Sequence, residues 1–513
     1  MSPRRTVPLL LALISPAALP GQEGTIRLAA ESITQADVAR RVGIIAHDSM
    51  GGRATASPGL LKTAKYVADE FRRLGLKPGG DSGTYLQNFS IVAKRVIAAR
   101  SSASFGQSDG DAAVNATLAE GATWLGGASN ATARGGVVML GGAVNPDSLK
   151  AGDLKDKMVV YVLPAGNRSP TGYGRTMNTL LELEPAGVVV VTASDSLFGQ
   201  WRQRSSRTST SIGDQSGGIP VIAMLESTIT GQVPEAAEQF AGIKTAPVTV
   251  VQPYPDWEGT ITVRDSTVRS ISSPNTVGIL EGTDPTLKNE YLVFSAHMDH
   301  VGITGQPMAA CGAMGGDSIC NGADDDASGT AGVIELAEAY GRQGARPKRS
   351  LVFLTVSGEE QGLWGSGWFA DHPPVPVGQI VANINMDMIG RNWKDTIAVI
   401  GKEHSDLGAT LNRVNAEHRE LNMTAIDDQW PAEDFYFRSD HFNFARKGVP
   451  ILFFFSGVHA DYHRPSDSPD KIDAEKEARI LRLVYYLGLE VGNAAERPKW
   501  NPESYKRIVT GDR

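Results

Sequence analysis

Four short apolar runs, each leading into residues able to bind a cation, restrict the fold of this chain more than any other feature. They cover 291–296 ahead of His297, 350–356 ahead of Ser357-Gly358-Glu359-Glu360, 380–386 ahead of Asp387, and 449–455 some residues ahead of His463. Each is rich in Val, Ile, Leu or Phe and too short for a free-standing helix, so each reads as a buried strand. Strands that alternate with helical patterns build a largely parallel sheet, and ligands collect outside the carboxyl ends of its strands. The pattern predicts an α/β fold with a mostly parallel central sheet flanked by helices. Side chains spread between positions 297 and 463 would then converge at one edge.

At 513 residues the chain exceeds one ordinary core, and 41% hydrophobic with 21% charged residues is a globular composition, so two domains are expected. A formal net charge of −8 argues against a phosphate-binding surface and hence against nucleic acid. Arg4 and Arg5 precede an apolar stretch over 7–19 that ends in small residues and Pro, which reads as a secretory signal peptide over 1–21. The mature protein is expected in the periplasm or medium, since no other stretch approaches the roughly 20 apolar residues of a membrane span. In an exported chain, Cys311 and Cys320 favour a disulfide over a pair of soft zinc ligands. Closing that loop would contribute roughly 2–3 kcal/mol.

Thr34 and Asp37 suit the start of a capped helix, and 60–74 carries an amphipathic one with Ala64, Val67, Ala68, Phe71 and Leu74 on one face. From about residue 93 the texture turns to short β-type runs separated by Gly, Ser, Asn and Asp, and the stretch 202–218 reads as a polar loop. The α/β texture resumes after Val277 and runs to a terminal helix over about 474–494. A β-rich unit over 130–252 is therefore read as an insertion into a discontinuous domain made of 22–129 and 253–513. It contains no cluster of His, Asp and Glu, which points to a covering or oligomerisation module.

In "AHMDH", alternation along an extended chain sets His297 and Asp299 on one side, where the carboxylate can accept the second ring N–H of a ligating imidazole. Asp324, Asp325 and Asp326 stand directly before a helix expected from about Ala327; consecutive acids repel unless cations neutralise them, although part of the cluster could cap the helix. Glu359 and Glu360 leave a strand together, so one can bind metal while its neighbour faces a bound water. Asp387 sits in an otherwise apolar stretch, where an unpaired carboxylate is costly. His459 and His463 share a late loop, and spacing alone does not separate them.

Taken in order, "AHMDH", "NGADDDASG", "GEEQGLWGS", "NMDMIG", "SDHFNFARKGVP" and "YHRPSDS" resemble the di-zinc exopeptidase family of bacterial leucyl-type aminopeptidases and glutamate carboxypeptidase II. The likeness covers most of the mature chain, and the inserted unit is similar to a protease-associated domain. The resemblance implies a zinc-exopeptidase, phosphorylase/hydrolase-like fold and two Zn²⁺ ions bridged by Asp325. His297 and Asp387 would complete one site, Glu360 and His463 the other. Glu359 would be the general base, Asp299 the partner of His297, and Tyr436 a donor to the developing oxyanion. It further implies cleavage of peptides or small proteins from an end, most readily the amino terminus, and fixes no oligomeric state. A carboxypeptidase shares the same metal centre: Glu433 or Asp434 could meet an amine, Arg391 or Arg438 a carboxylate. A non-catalytic binding protein on the same fold is the alternative from another class.

Overall fold

The computed structural model describes residues 20–510 apart from 109, 111, 165, 167–173 and 214–217. The predicted signal peptide, 1–21, falls almost wholly outside them, the first helix being Pro20–Glu31. The chain divides into two compact units, one made of Met1–Phe89 and Ser272–Arg513, the other of Ser90–Ile271.

In the first unit, strands Ile451–Phe455, Ile380–Met386, Tyr291–His297 and Ser350–Val356 lie side by side and mutually parallel. Antiparallel neighbours close the parallel set, Thr396–Ile400 on one side and the 276–280 part of Asp265–Leu280 on the other. The four apolar runs of the sequence are thus the four central strands, and their carboxyl ends share an edge. Alternation sorts their side chains onto two faces. Phe294, Phe353 and Ile384 pack with Val333, Leu336 and Tyr340 of helix Gly329–Gly341 and with Leu481 and Tyr485 of helix Ala474–Asn493. Val293, Val352 and Leu354 face the other way, toward Phe369 and Phe444. Being covered on both faces explains why the runs read as continuous apolar segments.

The capped helix is Gln35–Ile45, where the Thr34 hydroxyl accepts from Asp37 N at 3.1 Å; the amphipathic helix is Pro58–Arg73, with Ala64, Val67, Ala68 and Phe71 buried. At the opposite edge, where the strands begin, Arg349 is fully buried. It donates to Glu290 at 2.7 Å and to the carbonyl oxygens of Val491 and Ala494, while Arg497 meets the same Glu290 at 2.8 Å.

The second unit is wider than the insertion expected over 130–252. Strand Ser102–Gln107 pairs with Thr249–Val263, and Ala122–Gly126 pairs with Val221–Leu225, so both belong to it. Their Ser, Ala and Gly content gave little alternation to read. Nor is the unit purely β. Parallel strands Met158–Val162, Gly187–Thr192 and Val221–Leu225 are packed on both faces, by Phe240 and Ile243 of helix Ala236–Thr245 on one and by Leu197, Phe198 and Trp201 of helix Asp195–Ser205 on the other. That helix and strand Ser209–Ile212 also claim part of the stretch read as a polar loop.

Gly488 marks the tightest approach between the terminal helix and the sheet: a Cβ there would overlap the Tyr340 hydroxyl and the Phe294 ring. Alanine improves helix propensity by about 1 kcal/mol. Overpacking costs about 1–3 kcal/mol, and moving Tyr340 also endangers its 2.7 Å hydrogen bond to the Tyr485 carbonyl, about 1 kcal/mol more. The clash wins, so Gly488→Ala is expected to lower unfolding stability by about 1–2 kcal/mol in urea titration.

Candidate metal centre

His297 ends its strand with Nε2 3.2 Å from Asp325 Oδ1 and 3.5 Å from Asp387 Oδ1. On the other side of the same Asp325 carboxylate, Oδ2 is 3.2 Å from His463 Nε2 and 3.5 Å from His300 Nδ1. Glu360 completes this second cluster, 3.2 Å from His463 and 3.0 Å from His300. Two donor sets, His297–Asp325–Asp387 and His300–Asp325–Glu360–His463, therefore share one carboxylate. All five side chains named from sequence as ligands come together here. His459, the competing imidazole, instead lies 3.3 Å from Asp324 Oδ2.

The clusters fit cations better than they fit themselves. Asp325 Oδ2, Glu360 Oε1, His300 Nδ1 and His463 Nε2 are buried and make no hydrogen bond among the described residues. Buried polar atoms without partners are costly. A tetrahedral zinc with N and O donors at about 2.0–2.1 Å sets those donors roughly 3.3 Å apart, close to the separations seen here. Zinc also takes this mixture of imidazole and carboxylate.

Three backbone clamps aim the ligands. Asp326 Oδ1 accepts from Gly329 N at 2.8 Å and Met388 N at 3.3 Å, and its Oδ2 from His297 N at 3.1 Å. One carboxylate so ties together the segments carrying His297, Asp325 and Asp387. Asp467 accepts from Asp324 N and Asp325 N. Arg53, fully buried, donates to the carbonyl oxygens of Met298, Ile45, Asn321 and Gly322, joining the segment after His297 to the one before Asp325. Sequence reading missed these clamps; a run of three Asp was their only outward sign. The helix expected from Ala327 begins at Gly329, because Asp325 (φ −104, ψ 95) and Asp326 (φ −127, ψ 53) leave the helical conformation and kink the chain ahead of it.

Asp299 acts differently from its expected part. The His297 Nδ1 lies 3.1 Å from the Asp299 carbonyl oxygen, whereas the Asp299 carboxylate is 3.8 Å away. That carboxylate instead accepts from the Thr55 hydroxyl at 2.8 Å and from Glu359 N at 3.3 Å. Glu359 lines a cleft with His297, Asp325 and Asp387. Loss of water pushes its carboxyl well above the ordinary range against the pull of His297, and Glu360, Asp440 and Asp387 push it further. Asp440, buried below, is likewise raised by burial, to about 7.

Tyr436 does not reach this cleft. It occupies the 3₁₀ turn Phe435–Phe437, where successive side chains splay by about a third of a turn. Its ring lies 4.5 Å from that of His404, in a separate cavity with Glu403 and Arg507, while Phe435 and Arg438 face the cleft. The phenol that lines the cleft is Tyr462, stacked on His463 at 3.8 Å. Burial raises its pKa, and Asp325, Glu360 and Asp387 raise it further. Adjacency to a ligand was the available signal. Of the groups considered for substrate termini, Arg391 is engaged by Asp461 at 3.0 Å and Asp467 at 3.7 Å, and neither Glu433 nor Asp434 lines the cleft.

Residues 275–488 match the sequence profile of Peptidase family M28. The matched segment contains both donor sets described above. Aminopeptidase YwaD of Bacillus subtilis is 26% identical over 35% of this chain and 39% of its own length. Leupeptin-inactivating enzyme 1 of Streptomyces exfoliatus is 31% identical over 30% and 34%. BSAP, a zinc aminopeptidase from Bacillus subtilis, aligns in structure at 16% identity and a TM-score of 0.45, covering 90% of this chain and 96% of that one. The chain spans roughly a third to a half of the length of the first curated relatives it matches, from 34% to 46%.

Asp326→Asn turns one accepting oxygen into an N–H₂ facing a backbone N–H. It is expected to weaken zinc binding about 10–100-fold although Asp326 is no ligand, with about 1–3 kcal/mol lost from stability. Competition with a chromophoric chelator and urea unfolding read the two effects separately.

Proposed function

We propose that this protein is an exported di-zinc aminopeptidase that removes residues from the amino termini of peptides and small proteins. The observation that carries the reading is Asp325, one buried carboxylate facing two donor sets beside the cleft that Glu359 lines. His297 and Asp387 would hold one zinc with it, Glu360 and His463 the other. Bound zinc supplies Lewis acidity and lowers the pKa of water from about 15.7 toward 7.

The protein's own groups do the rest. Glu359, which lines the cleft beside the donor sets, takes the proton of the attacking water and returns it to the leaving amine. Asp299 holds the Glu359 backbone in place, and its carbonyl fixes the ring of His297. Tyr462, in place of Tyr436, is the phenol that lines the cleft and would donate to the carbonyl oxygen as charge develops there. Met388, Phe435, Phe453, Phe455 and Val458 give the cleft an apolar wall, suited to an apolar first side chain. The names of the relatives, aminopeptidases among them, support cleavage at the amino end.

Arg438 favours the carboxypeptidase reading, since it lines the cleft; its guanidinium lies 4.8 Å over the Phe435 ring and is tied to Glu433 through the carbonyl oxygen at 3.2 Å and the carboxylate at 3.5 Å. A non-catalytic role is disfavoured by the presence of every donor together with Glu359. Among the described residues no helix is long and apolar enough to cross a membrane. The stretch 130–252, within the unit Ser90–Ile271, is read as a protease-associated-like domain, on the strength of its insertion between the two parts of the other unit.

Aminoacyl anilides are expected to be hydrolysed and amino-terminally blocked peptides left intact; the opposite result would make the protein a carboxypeptidase. Glu359→Gln should lower kcat by about 10²–10⁴ with zinc content unchanged. Asp325→Asn should lower zinc content itself, measured by atomic absorption. Wild-type turnover by the first variant, or two retained zincs in the second, would overturn those roles.

A further inference from the structure

His300, the last residue of "AHMDH", has no part in the chemistry above. It is buried, and its Nδ1 points into the cluster formed by Asp325, Glu360 and His463. A histidine that merely oriented Glu360 would donate to it. Here Nδ1 sits 3.0 Å from Glu360 Oε1, and neither atom has a hydrogen-bond partner among the described residues. The same is true of His463 Nε2 and Asp325 Oδ2. Four atoms that approach one another closely and bond to none of their neighbours converge on a common point instead.

We propose that His300, through Nδ1, is a fourth protein donor to the second metal, a role that rests on the di-zinc reading above. The separations His300–Glu360, His300–Asp325 and His463–Asp325, at 3.0, 3.5 and 3.2 Å, match edges of a tetrahedron with about 2.0–2.1 Å bonds, whose edges are about 3.3 Å. The two imidazoles meet edge to face with centroids 5.6 Å apart, leaving their nitrogens free to point at one ion. The backbone makes room for the ring on purpose. Gly322 has φ +56, and a Cβ there would stand 2.5 Å from His300 Cγ and Cδ2, so a side chain at 322 would expel the imidazole from its place. His300 N donates to the Arg53 carbonyl at 3.2 Å, which anchors the residue from behind.

The consequence is an asymmetric pair. The second set offers four protein donors, the pattern of a closed site; the first offers three, which leaves a position open beside Glu359. The metal at His297–Asp325–Asp387 is therefore the more readily exchanged one.

The test uses the full-length protein loaded with Co²⁺ in place of zinc. Each coordinating imidazole then contributes one exchangeable N–H proton shifted far outside the ordinary range. Three such signals are expected from the wild type, from His297, His300 and His463, and two from His300→Gln. Graded chelation of the zinc form should release metal in two steps. In His300→Gln the tighter step should weaken more than about 100-fold, beyond the 10–100-fold that loss of an orienting partner costs. Should His300→Gln misfold, the signal count of the wild type still decides. Two shifted signals in the wild type, or an unchanged chelation curve in the variant, would overturn the assignment of His300. A wild type that bound no metal at all would instead overturn the di-zinc reading beneath it.

Discussion

Burying several carboxylates round one point is the constraint from which the rest of this molecule follows. Asp325, Asp387 and Glu360 are withdrawn from water within a few ångströms of one another, with Glu359, Asp299 and Asp440 close behind. Uncompensated, such charges raise each other's pKa and resist ionisation. Among the described residues the only fully buried guanidinium nearby, Arg53, spends its donors on backbone carbonyls. Cations have to come from outside, and the imidazoles at the strand ends fix where. Four parallel strands ending at one edge make that gathering possible without long-range loops.

Three neighbouring aspartates show how tightly the arrangement is specified. Asp324 accepts from Gly390 N at 2.6 Å and faces His459. Asp325 turns to the donor sets, and Asp326 gathers three backbone N–H groups. The residues are identical in chemistry, and only backbone direction assigns them different work. A helix continuing smoothly through this segment would have pointed them at successive 100° intervals toward solvent and core alike; the non-helical backbone at Asp325 and Asp326 lets all three be buried.

The central sheet was legible because strands buried on both faces leave unbroken apolar runs such as "YLVFSA" and "VPILFFF". The ligand-bearing positions were legible for a related reason, since a carboxylate or imidazole at the end of such a run has nowhere dry to hide without a partner. The edges of the second unit were not legible, because strand 102–107 consists largely of Ser, Ala and Gly and owes its form to pairing with 249–263. Tyr436 was misplaced for a different reason. Sequence proximity to Ser439 says which turn a side chain leaves from, but not to which side of a 3₁₀ turn it goes, and the phenol that does line the cleft was hidden in plain sight beside His463. His300 was passed over because alternation pairs 297 with 299, whereas the chain has already left its extended path by residue 298.

Catalytic donors and folding supports sit at opposite rims of one sheet. The rim where the strands begin is sewn together by Arg349 and Arg497 on Glu290 and on the end of the terminal helix. Changes there are expected to lower the stability of the domain while leaving the donor sets in place. Substitutions at the two rims can therefore alter durability and ion binding independently of one another.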